Sequence, residues 1–347
     1  MNSSRRLLLI GMFAGLLAPA TRAAVSMETV PVGNAGNAGV LSMAGETGAH
    51  RICGAVDYVY NIAKYEVTAG QYCEFLNAVA ATDTYDLYNE LMWSDSYGCK
   101  IARSGSAGGY SYSVAADWAN RPVNYVSYWD ACRFANWLHN GQPTGQQGPG
   151  TTEAGAYTLN GYNGSDGQAI QRNDDWTWAV TSEDEWVKAA YHKNDGATGN
   201  FWQYPTGSDT MPSNDLMDPD PGDSANVYVE PDDYTIGSPY WRTEAGEFED
   251  SHSPYGTFDQ AGNVFEWNEA VYVSPGPGAC RWLRGGSFNA TGSSARASIR
   301  GIYGAPQGEA DFVGFRVVQV PEPASLLLLA LAGLSALGRK RRRNERW

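Results

Sequence analysis

Redox and soft-metal chemistry needs thiols or imidazoles held close together, and this chain spaces them apart. Its five cysteines, Cys53, Cys73, Cys99, Cys132 and Cys280, make no CxxC or other metal-type spacing. The four histidines, His50, His139, His192 and His252, are scattered in the same way. An odd number of cysteines leaves at least one free or paired between molecules. Hard-oxygen chemistry is better supplied. Residues 209–259 hold thirteen acids and one basic residue, Arg242. Calcium takes roughly six to eight oxygens from carboxylates, amides and backbone carbonyls, and a stretch of this kind offers them. No nucleophile–base pair appears at motif strength. A third group of residues is the run LRGGSFNATGSSARASIRG at 283–301, a twin-glycine turn followed by Ser287, Phe288 and two arginines. Arg284 and Arg300 within it, and Arg316 beyond it, read as buried supports. A planar guanidinium with five donors suits the carbonyls and carboxylates of a loop-rich interior.

These residues must be positioned by short elements. NIAKYEVT (61–68) alternates as a strand does. Thr68 caps a helix whose Tyr72, Phe75, Leu76 and Val79 recur on one face. Ser127 with Asp130, and Ser182 with Glu185, make capping-box patterns that open two more helices. Ala131, Phe134, Ala135 and Leu138 form the inner face of the first of these. Trp186, Ala189 and Ala190 form that of the second. WTWAV, RWLRGG and VGFRVV read as short strands. Residues 141–172 and 193–225 read as long loops, a length usually associated with function, and residues 25–50, small and Gly-rich, as a linker. No internal repeat appears. The pattern implies one α+β domain over residues 51–320 with little regular secondary structure.

The two ends read as address signals. Residues 1–24 place Arg5 and Arg6 before an apolar run and small residues around Ala20, Ala23 and Ala24, the order of a secretory signal peptide removed by signal peptidase. Residues 321–347 place Pro321, Glu322 and Pro323 before an apolar run, Ala324–Leu337, and then a basic cluster from Arg339. The run is short for a stable bilayer span, and the basic end orients it toward the cytoplasm. This tail resembles the PEP-CTERM sorting signal of Gram-negative bacteria. The resemblance implies transient membrane retention, processing by an exosortase, and delivery to the cell surface or extracellular matrix; a permanent small anchor is the other reading. Without both ends the body keeps fifteen basic against thirty-six acidic residues, a net charge of about −21. Nucleic acid, which demands phosphate neutralisation, is an unsuited partner, and a cation is a suited one.

Four segments, YEVTAGQYCEFLNAV (65–79), RPVNYVSYWDACRFANWL (121–138), WAVTSEDEWVKAA (178–190) and YGTFDQAGNVFEWNEAV (255–271), precede LRGGSF (283–288) and VGFRVV (313–318). Their order and spacing resemble the formylglycine-generating enzyme family, the sulfatase-modifying factors, over residues 55–318. The resemblance implies a C-type-lectin-like fold. Active members use two cysteines after the Gly-Gly-Ser turn to bind copper(I), a soft ion that prefers thiolates, and oxidise a sulfatase cysteine to formylglycine. Here those positions fall at Ala290 and, more loosely, near Ala295, and no cysteine follows Cys280. The expectation is no copper and no formylglycine-generating activity. Related iron oxidases of ergothioneine-type synthesis need three grouped histidines and an extra helical domain, which this sequence does not offer. The resemblance also implies structural calcium. One site matches Asp259 and Glu266 by side chain with Gly262 and Val264 by carbonyl. The other matches Asn226, Val227, Asp232 and Tyr234.

The expected function is therefore a non-catalytic, calcium-stabilised binding module for a glycan, such as the producer's exopolysaccharide, or for a surface protein. A divergent oxidoreductase acting on a cysteine or sulfur substrate is the alternative. Lectin-like folds present aromatic rings to ligands, and tyrosine and tryptophan are abundant here.

Overall fold

Each of the three longer helices begins at the residue its sequence marks. The structure, a computed structural model, describes residues 24–43, 50–231, 233–273 and 278–321. Thr68 accepts the Gln71 N–H while the Gln71 side chain accepts the Thr68 N–H, a reciprocal cap that opens the helix Ala69–Val79. Ser127 and Asp130 do the same for Tyr128–His139, and Ser182 and Glu185 for Glu183–Tyr191. Two donors that would be stranded at each helix start are thereby satisfied. His192 closes the third helix as its C-cap.

The apolar faces meet as their spacing implies. Tyr72 and Phe75 of the first helix pack on Phe134 of the second, with ring centroids 6.2 and 5.3 Å apart. Phe134 in turn meets Phe315 at 5.4 Å. Phe315 lies on the strand Val313–Phe315, at the edge of a four-stranded sheet in the order Ile302–Gly304, Ala279–Arg284, Phe265–Val273, Val313–Phe315. The last pairing is parallel and the others antiparallel. The register slips between Trp267 and Val271, so the strand bulges around Asn268, Glu269 and Ala270.

The second four-stranded sheet is antiparallel throughout: Thr29–Val32, Tyr60–Ala63, Val317–Gln319, Trp178–Val180. Thr29–Val32 corrects the reading of residues 25–50 as a linker. The segment ETVPV alternates, and Val32 is fully buried, but the glycines that follow mask a strand only four residues long. Val40–Ser42 forms a further short strand against Arg51–Cys53. A single residue, Arg316, separates the strand of one sheet from the strand of the other, so the VGFRVV segment crosses between them. The long loops at 141–172 and 193–225 contain neither helix nor named strand, yet Thr152, Ala156, Tyr157 and Tyr204 within them are buried. Cys53, Cys73, Cys99 and Cys132 are buried and Cys280 is half-buried. Among the described residues no helix is long and apolar enough to cross a membrane. The leader and tail read at 1–24 and 321–347 lie, apart from Ala24 and Pro321, outside the described residues.

Candidate functional site

The Gly-Gly-Ser turn is held from behind by one carboxylate. Glu183, the first residue of its helix and fully buried, receives Arg284 (Nη2 at 2.7 Å), Arg300 (Nη2 at 2.8 Å) and Arg51 (Nη1 at 2.7 Å). Burial alone would raise its pKa. The guanidiniums outweigh that and bring it from 4.5 down to about 2. Arg51 also pairs with Asp184. Gly285 and Gly286 both have left-handed backbones, with φ of 97° and 86°. A Cβ at Gly285 would stand 3.0 Å from the Gln260 carbonyl, which leaves glycine as the fitting residue. Arg284, Arg300 and Arg316 are all buried, as their sequence setting implies.

Beyond the turn, the two alanines on which the resemblance sets the family thiols lie in different surroundings. Ala295 is fully buried among Tyr204, Ala225, Val227 and Ala261, and its carbonyl accepts the Tyr191 hydroxyl at 2.8 Å. Ala290 is partly exposed and its carbonyl accepts the Tyr228 N–H at 2.9 Å. Neither alanine can bind copper(I) or carry an electron, so the arrangement has no residue for the family's oxidation at these two positions.

Next to Ala290 lies a chain of aromatic rings. Tyr228 meets Tyr234 at 5.0 Å, Tyr234 meets Trp241 at 5.0 Å, Trp241 meets Tyr97 at 5.0 Å, and Tyr97 stacks on Phe288 at 5.7 Å. Phe288 is buried, while the other four are partly exposed. Trp241 has a φ of 60°, a conformation that a bulky residue adopts only under strain, costing on the order of 1–3 kcal/mol. Its indole Nε1 is buried with no hydrogen-bond partner among the described residues. Its neighbour Arg242 is fully buried, gives Nη1 to the Tyr97 carbonyl at 2.7 Å, and has Nε and Nη2 without hydrogen-bond partners among the described residues. Desolvation lowers the Arg242 pKa to about 10. Strain and unmet donors together are the mark of a site shaped for something besides stability. The sequence reading missed both residues. The available signal was that Arg242 is the one basic residue in the acidic stretch.

The structure places the calcium-type residues as follows. Asp259, Gly262, Val264 and Glu266 lie on one continuous segment. Asn226 bridges to Gly262, its carbonyl accepting the Asn263 N–H at 2.9 Å, so the two expected sets stand side by side. Glu266 is bound by Arg316 through Nε and Nη2, each at 2.6 Å, and by Trp186 Nε1 at 2.8 Å. Asp259 accepts the Gly246 N–H at 2.7 Å. The Val227 carbonyl accepts the Thr235 hydroxyl at 3.2 Å, and Tyr234 packs on Tyr228. Asp232 lies outside the described residues. Glu66, fully surrounded, receives the Val264 N–H and Asn263 Nδ2 at 3.3 Å. Three carboxylates, Glu66, Asp259 and Glu266, thus interact with one guanidinium, Arg316. Burial and their mutual repulsion raise Asp259 to about 6 and Glu66 well above its ordinary value. That excess of negative charge fits a divalent cation. The side chains do not converge, however: among the described residues no three of His, Cys, Asp or Glu are grouped to hold a metal ion. An ion here would have to draw on the carbonyls of Gly262 and Val264 beside the carboxylates.

Residues 16–321 match the sulfatase-modifying factor enzyme 1-like domain, and residues 319–343 match the PEP-CTERM protein-sorting motif. No curated protein matches the sequence. Among solved structures, the crystal structure of CarF aligns with 21% identity over 86% of this chain and 99% of its own, at a TM-score of 0.49. Treponema denticola variable protein 1 aligns with 17% identity over 85% and 95%, at 0.47. PvdO from Pseudomonas aeruginosa aligns with 18% identity over 84% and 94%, at 0.44. The PEP-CTERM motif implies export and processing by an exosortase, hence a surface protein. With the family match spanning the described fold from its first strand to its last, the chain belongs to the sulfatase-modifying factor enzyme 1-like family.

Proposed function

We propose that this protein is a non-catalytic binding module at the cell surface or in the extracellular matrix, which uses the surface beside the Gly-Gly-Ser turn to hold a glycan or protein ligand. The observation that carries this reading is the replacement of chemistry by packing. Ala295 is sealed in a small apolar cluster, while the adjoining surface offers Tyr97, Tyr228, Tyr234 and Trp241 as partly exposed rings. Flat rings with polar tips suit sugar faces and peptide side chains alike. Arg242 lies behind them with donors to spare. Cys99 is close enough to Arg242 to interact electrostatically, but burial raises its thiol and it is a single sulfur. A lone sulfur does not make the two-thiolate copper(I) centre that the family resemblance implies for active members. Structural calcium, held by the carbonyls of Gly262 and Val264 with the Asp259 and Glu266 carboxylates, belongs to the same proposal.

The test is binding of the purified protein to the producer's own exopolysaccharide and surface-protein fraction, with Tyr234→Ala as the comparison. Retention that falls by about tenfold in the variant, the effect of losing roughly 1.4 kcal/mol of contact, supports the reading. Oxygen-dependent turnover of a cysteine peptide in the presence of copper would reverse it.

A further inference from the structure

The helix Glu183–Tyr191 ends on a histidine that is sealed from solvent. His192, its C-cap, is 0% exposed, stacks on Tyr255 at 6.0 Å and meets Phe201 edge-on at 5.2 Å. Its Nε2 stands 3.2 Å from the Thr198 carbonyl, an oxygen that only accepts, so Nε2 carries the proton. Nδ1 therefore accepts, and takes the Asn194 N–H at 3.2 Å and the Tyr255 hydroxyl at 2.9 Å. The network closes through Asn34. Its Nδ2 donates to the Tyr255 oxygen at 3.0 Å and to Asn194 Oδ1 at 2.7 Å, while Asn194 Nδ2 donates to the Pro254 carbonyl at 3.1 Å. One neutral imidazole thus joins the helix end, the turn after the strand Thr29–Val32, residues 254–255 and the largely exposed loop 193–200. That loop is pinched at its neck by the Lys193 N–H on the Asn200 carbonyl, 2.9 Å, and by the bridge between His192 and Phe201.

A second proton on the ring goes to Nδ1, the atom that accepts. The Tyr255 oxygen can turn to receive it, since a hydroxyl both donates and accepts. The Asn194 N–H cannot: it would face another N–H and lose its acceptor. The groups around the ring set the direction of the shift. Lys188, one turn back on the same helix, is fully buried, gives Nζ to the Asn34 and Val56 carbonyls at 3.0 and 3.4 Å, and repels an imidazolium. Asp57 acts on Lys188. Asp195 attracts an imidazolium, but it is exposed and already bound by Thr198 and Asn200. The helix C-terminus favours a cation as well. Burial, helped by Lys188, outweighs these attractions and holds the His192 pKa below its ordinary 6.5. The network is therefore at full strength above 6.5 and weakens as pH falls below it, because an opened loop lets the ring take up a proton that the closed one resists.

We propose that His192 is an acid-released latch: protonation at Nδ1 displaces the Asn194 N–H and frees the loop 193–200 from Asn34 and Tyr255. An exported chain meets external pH directly, so the latch reports on the surroundings of the cell. The experiment is NMR of the imidazole nitrogens together with amide hydrogen exchange of residues 193–200 in the purified protein at pH 8 and pH 5, corrected for the intrinsic exchange rate. The NMR is expected to show the Nε2–H form at pH 8 and a titration below 6.5. The open loop titrates at the ordinary 6.5, so protection of 193–200 is expected to fall by about ten- to thirtyfold at pH 5. His192→Gln, which keeps an acceptor and a donor but does not titrate, is expected to lose that fall whatever its protection at pH 8. Asp130 and Asp259 change charge near the same pH and are retained in that variant, which separates their effect from the latch. His252→Gln is expected to behave as wild type. An Nδ1–H form at pH 8, a titration at or above 6.5, a fall under about threefold in wild type, or the same fall in His192→Gln as in wild type overturns the proposal.

Discussion

Replacing Glu183 by glutamine removes the one carboxylate on which Arg284, Arg300 and Arg51 converge. The size of the effect follows from the charged state the site enforces. An ordinary glutamate at 4.5 is held at about 2 here, against a burial penalty that works the other way. At about 1.36 kcal/mol per unit, that difference is worth roughly 3 kcal/mol of stability. A second route agrees: removing one partner of a buried ion pair typically costs about 3–5 kcal/mol, because the remaining charges stay buried. The sign is fixed by the downward shift. A depressed carboxylate contributes its full stabilisation above its ordinary 4.5 and loses it as pH falls toward 2. Urea unfolding of wild type and Glu183→Gln should therefore differ by about 3 kcal/mol at pH 7. The difference should shrink to roughly half at pH 3, where the native carboxylate begins to protonate. A difference under about 1 kcal/mol at pH 7, or one that does not change between pH 7 and pH 3, would refute the reasoning.

Glu309 carries the opposite sign. Burial, and then the neighbouring Asp130, raise its carboxyl to about 8, so it opposes folding increasingly as pH rises from 4.5 toward 8. Glu309→Gln is expected to gain on the order of 1–3 kcal/mol at pH 8 and nothing below pH 4 in the same urea assay. Gly262→Ala is expected to cost at least about 2 kcal/mol: its φ is 84°, and an added Cβ would stand 2.0 Å from the Asn226 carbonyl oxygen. A thermal melt within a degree of wild type would show that the Asn226–Gly262 contact gives way easily. Dialysis against a calcium chelator is expected to lower the melting temperature, with calcium and no copper found in the untreated protein. An unchanged melt would remove calcium from the proposal.

The helices were legible because their signals are local. Thr68, Ser127 and Ser182 announce themselves three residues ahead of the partner that completes each cap. The buried arginines were legible from their neighbours, since a guanidinium amid Gly, Ser and Phe has few other uses. The linker reading of residues 25–50 failed because a four-residue strand buries too little to show a period, and its stability comes from Tyr60–Ala63, far along the chain. Trp241 was invisible for a different reason. Nothing in the run Ser238–Pro239–Tyr240–Trp241–Arg242 states the left-handed backbone that Trp241 adopts. Glu183 reads as an ordinary first-turn acid until the fold brings Arg284 and Arg300 to it from a hundred residues away.

The crossing at Arg316 has a mechanical consequence. The strand that follows it, Val317–Gln319, is an inner strand, paired on one side with Tyr60–Ala63 and on the other with Trp178–Val180. The sorting motif begins at residue 319, within that strand. A pull applied through Pro321 therefore enters the body at an element clamped along both edges and fastened at its far end by Arg316 to Glu266. Hydrogen bonds on both flanks must shear together rather than peel one after another. The domain is built to bear load at its tail end, as suits a protein held to a surface by that end.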